Sequence, residues 1–409
     1  MSAINQKKLL ARLHQLGNQA RDEAGILSRV ALTDNDRGGR DLLRQWMLDA
    51  GLSVSIDAIG NLFATWHPEL PASPLMMGSH IDSVVNAGIY DGCYGVLSGL
   101  AVIESLMEEG IEPDRPVMLA AFTNEEGSRY APDMMGSLVY AGGLALETAL
   151  ETIGKDGSRL GDELERIGYI GDMQPGSIIP CGYLELHIEQ GPVLEAESIT
   201  IGVVENLQGI SWQEITINGV ANHAGTTPTG MRRDAGLAAA RINCFVRDEL
   251  AAGNPHTVAT VGCLRHFPDV INVIPSRAVM SVDLRDPDEA RLRAAESALE
   301  NFIQKLAVES DVEISSEPLA RFEPVQFDEP LASCIEQSAA KLGYSSRRMT
   351  SGAGHDAQMM ARICPSAMIF VPSVAGISHN PKEFTHDEDL FAGADVLLET
   401  VRSWLSESR

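Results

Sequence analysis

Three histidines and several carboxylates fall in short segments marked by glycine or placed at the ends of apolar runs. These are GSHIDSV (78–84), YDGCYG (90–95), TNEEGSR (123–129), ELHIEQG (185–191) and GISHNP (376–381). Imidazole nitrogen and carboxylate oxygen are the donors that zinc and related divalent ions take when no thiolate is offered, and a hydrolytic site keeps a position open for water. The donors present are enough for two such ions.

Each segment also has a plainer reading. The period of two in a strand puts His80 and Asp82 on one side, so the Asp82 carboxylate is expected to take the imidazole N–H of a ligand His80 and fix its tautomer. Asp91 precedes an apolar helical stretch, where a carboxylate also serves as an N-terminal cap, and by itself that placement favours the cap. Glu125 and Glu126 follow the apolar run VMLAAFT. They mark either a strand emerging into water or a divided pair, with Glu126 on a metal and Glu125 facing a water. His187 shares a strand face with Glu185 and Glu189, a setting in which histidine is more often structural. His379, between Gly376 and Pro381, is open between the two readings. His355, in SGAGHDA, stands between a site wall and a structural support.

The elements that must position these residues alternate. Leu75 to Gly78, Val117 to Thr123, Gly182 to Ile188 and Ala367 to Pro372 read as buried strands, with helical segments near 38–50, 94–109, 329–342 and 388–405. The pattern predicts an α/β domain with a mostly parallel sheet, whose functional groups gather at the carboxyl ends of the strands. Residues 209–323 change rhythm to β-α-β-β-α-β, the ferredoxin-like α+β arrangement. Its first helix reads as Met231 to Ala251. The second, Pro287 to Glu309, is expected to be capped by Asp286 and to bury Leu292, Ala295, Leu299, Ile303 and Leu306. The smaller domain is thus expected as an insertion between 1–208 and 324–409.

Composition narrows the function classes. The formal charge of −26, with no basic cluster to offset it, argues against nucleic acid or an anionic membrane as partner. No apolar run approaches the ~18 residues of a membrane span, and the N-terminal stretch reads as an amphipathic helix, so the expected location is the cytoplasm. The 6 cysteines form no CxxC pair, and most are expected to be buried small hydrophobes.

Taken together and in this order, GSHIDSV, YDGCYG, NEEGSR, ELHIEQGPVLE, NHAGTTP (222–228), NVIP (272–275), SGAGHDA (351–357) and GISHNP resemble the hydantoinase/carbamoylase branch of the dinuclear-zinc aminoacylase and carboxypeptidase superfamily. The resemblance spans nearly the whole chain. It implies that Asp91 bridges two divalent ions, zinc first with manganese, cobalt or nickel as alternatives. His80 and His187 would hold one ion, Glu126 and His379 the other, and Glu125 would be the general base. His223 would stabilise an oxyanion, Asn272 and Arg285 would grip a substrate carboxylate, and Gln190 would add a substrate contact, beside which His355 of the glycine-rich SGAGHDA segment, if a site wall, would be a further substrate-binding candidate. The inserted domain would serve as lid and homodimer surface. The implied activity is cleavage of the ureido C–N bond of N-carbamoyl-L-amino acids, with allantoate or a β-ureido acid as the alternative substrate. A binding protein that kept the fold without catalysis is the reading from another class.

Overall fold

The runs Leu75–His80, Val117–Phe122, Gly182–Ile188 and Ser366–Val371 are buried along their whole lengths. A strand with no solvent face needs a layer above and below it, the usual condition of parallel strands in an α/β sheet. In the computed structural model, which describes residues 4–406, these four form the parallel centre of a nine-stranded sheet. Their order is Val117–Phe122, Leu75–His80, Gly182–Ile188, Ser366–Val371. Outside them the sheet turns antiparallel, through Leu62–Trp66 and Ser53–Ile56 on one side and Ile201–Leu207 on the other. The parallel character is therefore confined to the centre of the sheet.

Helix Cys93–Glu108 is apolar nearly all round, with only Glu104, Met107 and Glu108 outside the buried set. Helix Gln6–Gln19 buries Leu9, Leu13 and Leu16, and Asp387–Ser406 buries Leu390, Leu397 and Val401; all join one core with the sheet. Helix Asp34–Asp49 starts four residues before the predicted position 38, because Thr33 caps it by accepting the Asp36 N–H.

Two compact units divide the chain: one runs to Glu205 and resumes at Gln326, the other is Asn206–Val325. The second unit has a five-stranded antiparallel sheet in the order Glu313–Phe322, Gly209–Asn218, Arg277–Asp286, Val258–Thr260, with Leu264–Phe267 also on Arg277–Asp286. Thus Val258–Thr260 and Leu264–Phe267 are two short strands on the same neighbour. The first helix begins at Ala235, where Asp234 accepts the Gly236 and Leu237 amides, rather than at Met231. The second, Glu289–Ser310, buries Leu292, Ala295, Leu299, Ile303 and Leu306 as its spacing predicts. Its cap is Asp288, not Asp286, which ends the preceding strand and is held by Thr257 and Arg291.

No helix among the described residues is long and apolar enough to cross a membrane. Of the cysteines only Cys93 and Cys364 are buried; Cys181 and Cys334 are half-buried and Cys244 and Cys263 exposed, and all are free thiols. The expectation that most are buried fails because the two exposed ones lie in the smaller unit, whose core is filled by Ile, Leu, Val and Ala.

Candidate metal centre

The carboxyl ends of the central strands deliver the candidate ligands. His80 ends Leu75–His80, Glu125 and Glu126 follow Val117–Phe122, His187 is in Gly182–Ile188, and His379 lies beyond Ser366–Val371. Asp91 precedes helix Cys93–Glu108 but does not cap it: the N-cap is Gly92, and no side chain caps the first turn. The Asp91 carboxylate is turned to the histidines. Its Oδ1 is 3.4 Å from His80 Nε2 and 3.1 Å from His187 Nε2, and its Oδ2 is 3.3 Å from His379 Nε2. His379 Nε2 also lies 3.2 Å from Glu126 Oε2.

Two groups are therefore spaced to hold a cation, His80–Asp91–His187 and Asp91–Glu126–His379, with Asp91 common to both. Ligands at ~2.0 to 2.2 Å around a tetrahedral ion stand roughly 3.3 to 3.6 Å apart, close to the separations found here. The proton arrangement fits as well. His80 Nδ1 donates to the Asp82 carbonyl at 3.0 Å and His187 Nδ1 to the Ile188 carbonyl at 2.8 Å, so each ring turns its Nε2 lone pair inward. Charge points the same way. Asp82, Asp91, Glu125, Glu126 and Glu383 converge here, and among the described residues none of them pairs with Lys or Arg.

The titration behaviour without ions reflects that surplus. Burial opposes a charged His80, yet Glu125, Asp91 and Asp82 raise its pKa well above the usual value. His379, hydrogen-bonded to Asp91, is raised to about 9. Burial and then the Asp91 charge push Glu126 up to about 8, and burial holds Glu125 well above the carboxylate range.

The backbone is shaped for the approach. Gly92 has φ +63°, and a Cβ there would lie 2.4 Å from the His80 ring, so only glycine fits. Asp82 departs from its expected role. Its carboxylate is 3.7 Å from His80 Nδ1 and instead accepts the backbone N–H groups of Glu125 at 3.2 Å and Glu126 at 3.3 Å. The ring is served by the main-chain carbonyl, because the strand has ended and the side chain has turned toward the neighbouring loop. Glu125 Oε2 lies 3.3 Å from His80 Nε2, while Glu126 Oε1 takes the Val84 N–H.

Gln190 and His355 also lie at this site. Gln190 Nε2 donates to Asp91 Oδ2 at 2.7 Å, and its Oε1 is buried without a hydrogen-bond partner among the described residues. The His355 ring is buried 4.5 Å from that of His187, its Nε2 likewise unpartnered, and burial lowers its pKa well below the usual value. In the smaller unit, His223 and Asn272 are on adjacent segments: the Ala224 N–H donates to the Asn272 carbonyl and the Ile274 N–H to Asn222. His223 Nδ1 accepts the Gly225 N–H at 3.0 Å. Arg285 is paired locally with Asp283, Nη2 to Oδ2 2.9 Å.

Other residues of the site were missed by sequence reasoning. Arg29 is buried and donates to the carbonyls of Ile81 and Leu16, tying the exit of the His80 strand to the first helix. Asn61 accepts the Thr123 N–H and donates to Asp57 and Gly136, fixing the chain just before the glutamate pair. Glu383 accepts the amides of Tyr90 and Asp91. Glu383 lies two residues beyond the segment GISHNP that the sequence singled out.

An α/β sheet with metal-ligating groups at its carboxyl ends defines a metallohydrolase-type fold, and comparison with known proteins makes the class specific. Residues 76–403 match the model of peptidase family M20/M25/M40, and the chain belongs to that family. It is 41% identical over 399 residues to the N-carbamoyl-L-amino-acid amidohydrolase of Rhizobium meliloti, covering 97% of this chain and 96% of that one. It is 36% identical over 391 residues to the ureidoglycolate hydrolase of Arabidopsis thaliana, covering 92% and 81%. Among solved structures, an amidase of the hydantoinase/carbamoylase family from Burkholderia multivorans is 42% identical, with TM-score 0.95 over 99% of both chains.

Proposed function

We propose that this chain is a metal-dependent amidohydrolase that releases amino acid, ammonia and carbon dioxide from N-carbamoyl-L-amino acids. The observation that carries the reading is Asp91, whose two oxygens are divided between His80 with His187 and His379 with Glu126. The 41% identity to the Rhizobium enzyme supports the substrate class.

His80, Asp91, His187, Glu126 and His379 would hold two divalent ions, which when bound acidify a water and polarise the ureido carbonyl. Glu125 takes the water's proton and returns it to the leaving nitrogen. His223 is the proposed oxyanion donor. Because its Nδ1 accepts the Gly225 amide, its proton sits on Nε2, free to donate, a contact worth ~3 to 4 kcal/mol at the transition state. Arg285, with Asn272, would take the substrate carboxylate in a two-pronged grip by exchanging its Asp283 partner. Gln190 and His355 would complete the substrate contacts through their unpartnered polar atoms. We place His223 at a homodimer surface, where it would serve the site of the partner subunit, in line with the resemblance of its domain to a dimerisation lid, and the enzyme in the cytoplasm.

A second reading, turnover of allantoate or ureidoglycolate, has the Arabidopsis relative in its favour. Steady-state kinetics of the metal-loaded protein on N-carbamoyl-L-amino acids, allantoate and ureidoglycolate separate the two. A higher kcat/KM for the N-carbamoyl-L-amino acids is expected; preference for either of the others overturns the substrate assignment, and no turnover on any of them overturns the enzyme reading.

A further inference from the structure

Glu383 is buried, with 6% of its surface exposed, and makes no ion pair with Lys or Arg among the described residues. Its Oε1 accepts the N–H of Tyr90 at 2.9 Å and of Asp91 at 3.3 Å. Its Oε2 accepts the Ser378 hydroxyl at 3.0 Å, and that hydroxyl also stands 3.0 Å from Asp91 Oδ2. One carboxylate thus grips the main chain of Asp91 and the residue before His379. The carboxylate is thus buried with no Lys or Arg within ion-pair distance among the described residues. A group held at such cost has a task beyond filling space.

The two cation-binding groups differ in how firmly they are built. His80 and His187 are both 1% exposed and each fixes its ring through a main-chain carbonyl. His379 is 52% exposed, sits at φ +53° in a turn, and among the described residues has only Asp91 and Glu126 as charged neighbours within ion-pair distance. Its turn is tied to Asp91 through Ser378, which Glu383 Oε2 and Gln190 Nε2 both contact, and Glu383 alone of these also holds the Asp91 main chain. Gly88 shows how tightly that carboxylate is seated: a Cβ there would lie 2.2 Å from Glu383 Oε1 and 2.4 Å from its Cβ.

We propose that Glu383 is a positioning residue that sets the affinity of the Asp91–Glu126–His379 group for its ion, leaving the His80–His187 group little changed. The inference rests on the two-ion reading above. Loss of a group that orients a ligand costs roughly 10- to 100-fold in metal affinity.

The test is metal content per chain by elemental mass spectrometry, after equilibrium dialysis of the full-length protein against a series of free zinc concentrations. Wild type should hold two ions per chain. Glu383→Ala should hold one across the concentrations at which wild type holds two, filling the second only at 10- to 100-fold higher zinc. Gly88→Ala, which keeps the carboxylate but displaces it, should give the same split with native circular dichroism. Glu383→Gln, which keeps an acceptor for the Tyr90 and Asp91 amides, should recover at least part of the affinity. Two wild-type-affinity ions in Glu383→Ala, or equal weakening of both, overturns the proposal. Fewer than two ions in wild type would instead overturn the reading on which it rests.

Discussion

The Asp82 carboxylate holds the backbone N–H of Glu125 at 3.2 Å, while the carbonyl of the same residue holds the ring of His80. One residue after the strand thus aligns a ligand and the start of the glutamate pair, through different atoms. Asp82→Ala retains the carbonyl, so the His80–His187 group should keep its ion while kcat falls roughly 10- to 100-fold through a displaced Glu125. Metal analysis beside kcat checks this. Loss of that ion with normal kcat after reloading would mean that the carboxylate acts through His80.

Glu125 and Glu126 face different partners, His80 and His379, and should fail differently on substitution. Glu125→Gln is expected to bind both ions and lose at least about a hundredfold in kcat, the scale of a general base. Glu126→Gln is expected to lose occupancy of the His379 group. Metal content of the two purified variants decides, and the reverse pattern would exchange their roles.

Asp57 gives a pH dependence away from the ligands. Burial raises its carboxyl from 3.8 to about 7, against the lowering effect of hydrogen bonds from Asn61 and Ile59. A carboxyl raised in the folded state contributes stability that is fully present below about 3.8 and lost as pH rises through about 7. Asp57→Asn has no such loss. Urea midpoints of the metal-free proteins should therefore shift in the variant's favour between pH 4 and pH 8, whereas parallel pH profiles would show that Asp57 is ionised in the fold throughout.

How much of this was legible in the sequence follows from what each signal depends on. The four central strands and the stripe Leu292 to Leu306 are periodic and apolar, so burial alone specifies them. The caps were less legible, because Asp286 and Asp288 are equivalent in sequence and only the strand's end decides between them. Asp91 by itself favoured a cap; Gly92 takes that position, freeing the carboxylate to face three histidines that are 11, 96 and 288 residues away in sequence. Arg29, Asn61 and Glu383 act through main-chain groups of distant loops, and no local pattern marks such contacts.

The assignment of His223 to a partner subunit's site predicts complementation. His80→Ala and His223→Ala should each be nearly inactive. After subunit exchange, verified with differently tagged chains, roughly a quarter of wild-type activity per chain should return, because half of the dimers are mixed and each has one complete site. Persistent inactivity in demonstrably mixed dimers would contradict the assignment.

The central claim, that the Asp91 cluster hydrolyses a ureido bond with two ions, is tested most directly by titrating chelator-stripped protein with zinc or manganese while following ammonia release from an N-carbamoyl-L-amino acid. Activity should be absent in the stripped protein and reach its plateau at about two equivalents per chain, in keeping with two three-residue groups that share one carboxylate. Full turnover by the stripped protein, or a plateau at one equivalent, would contradict it.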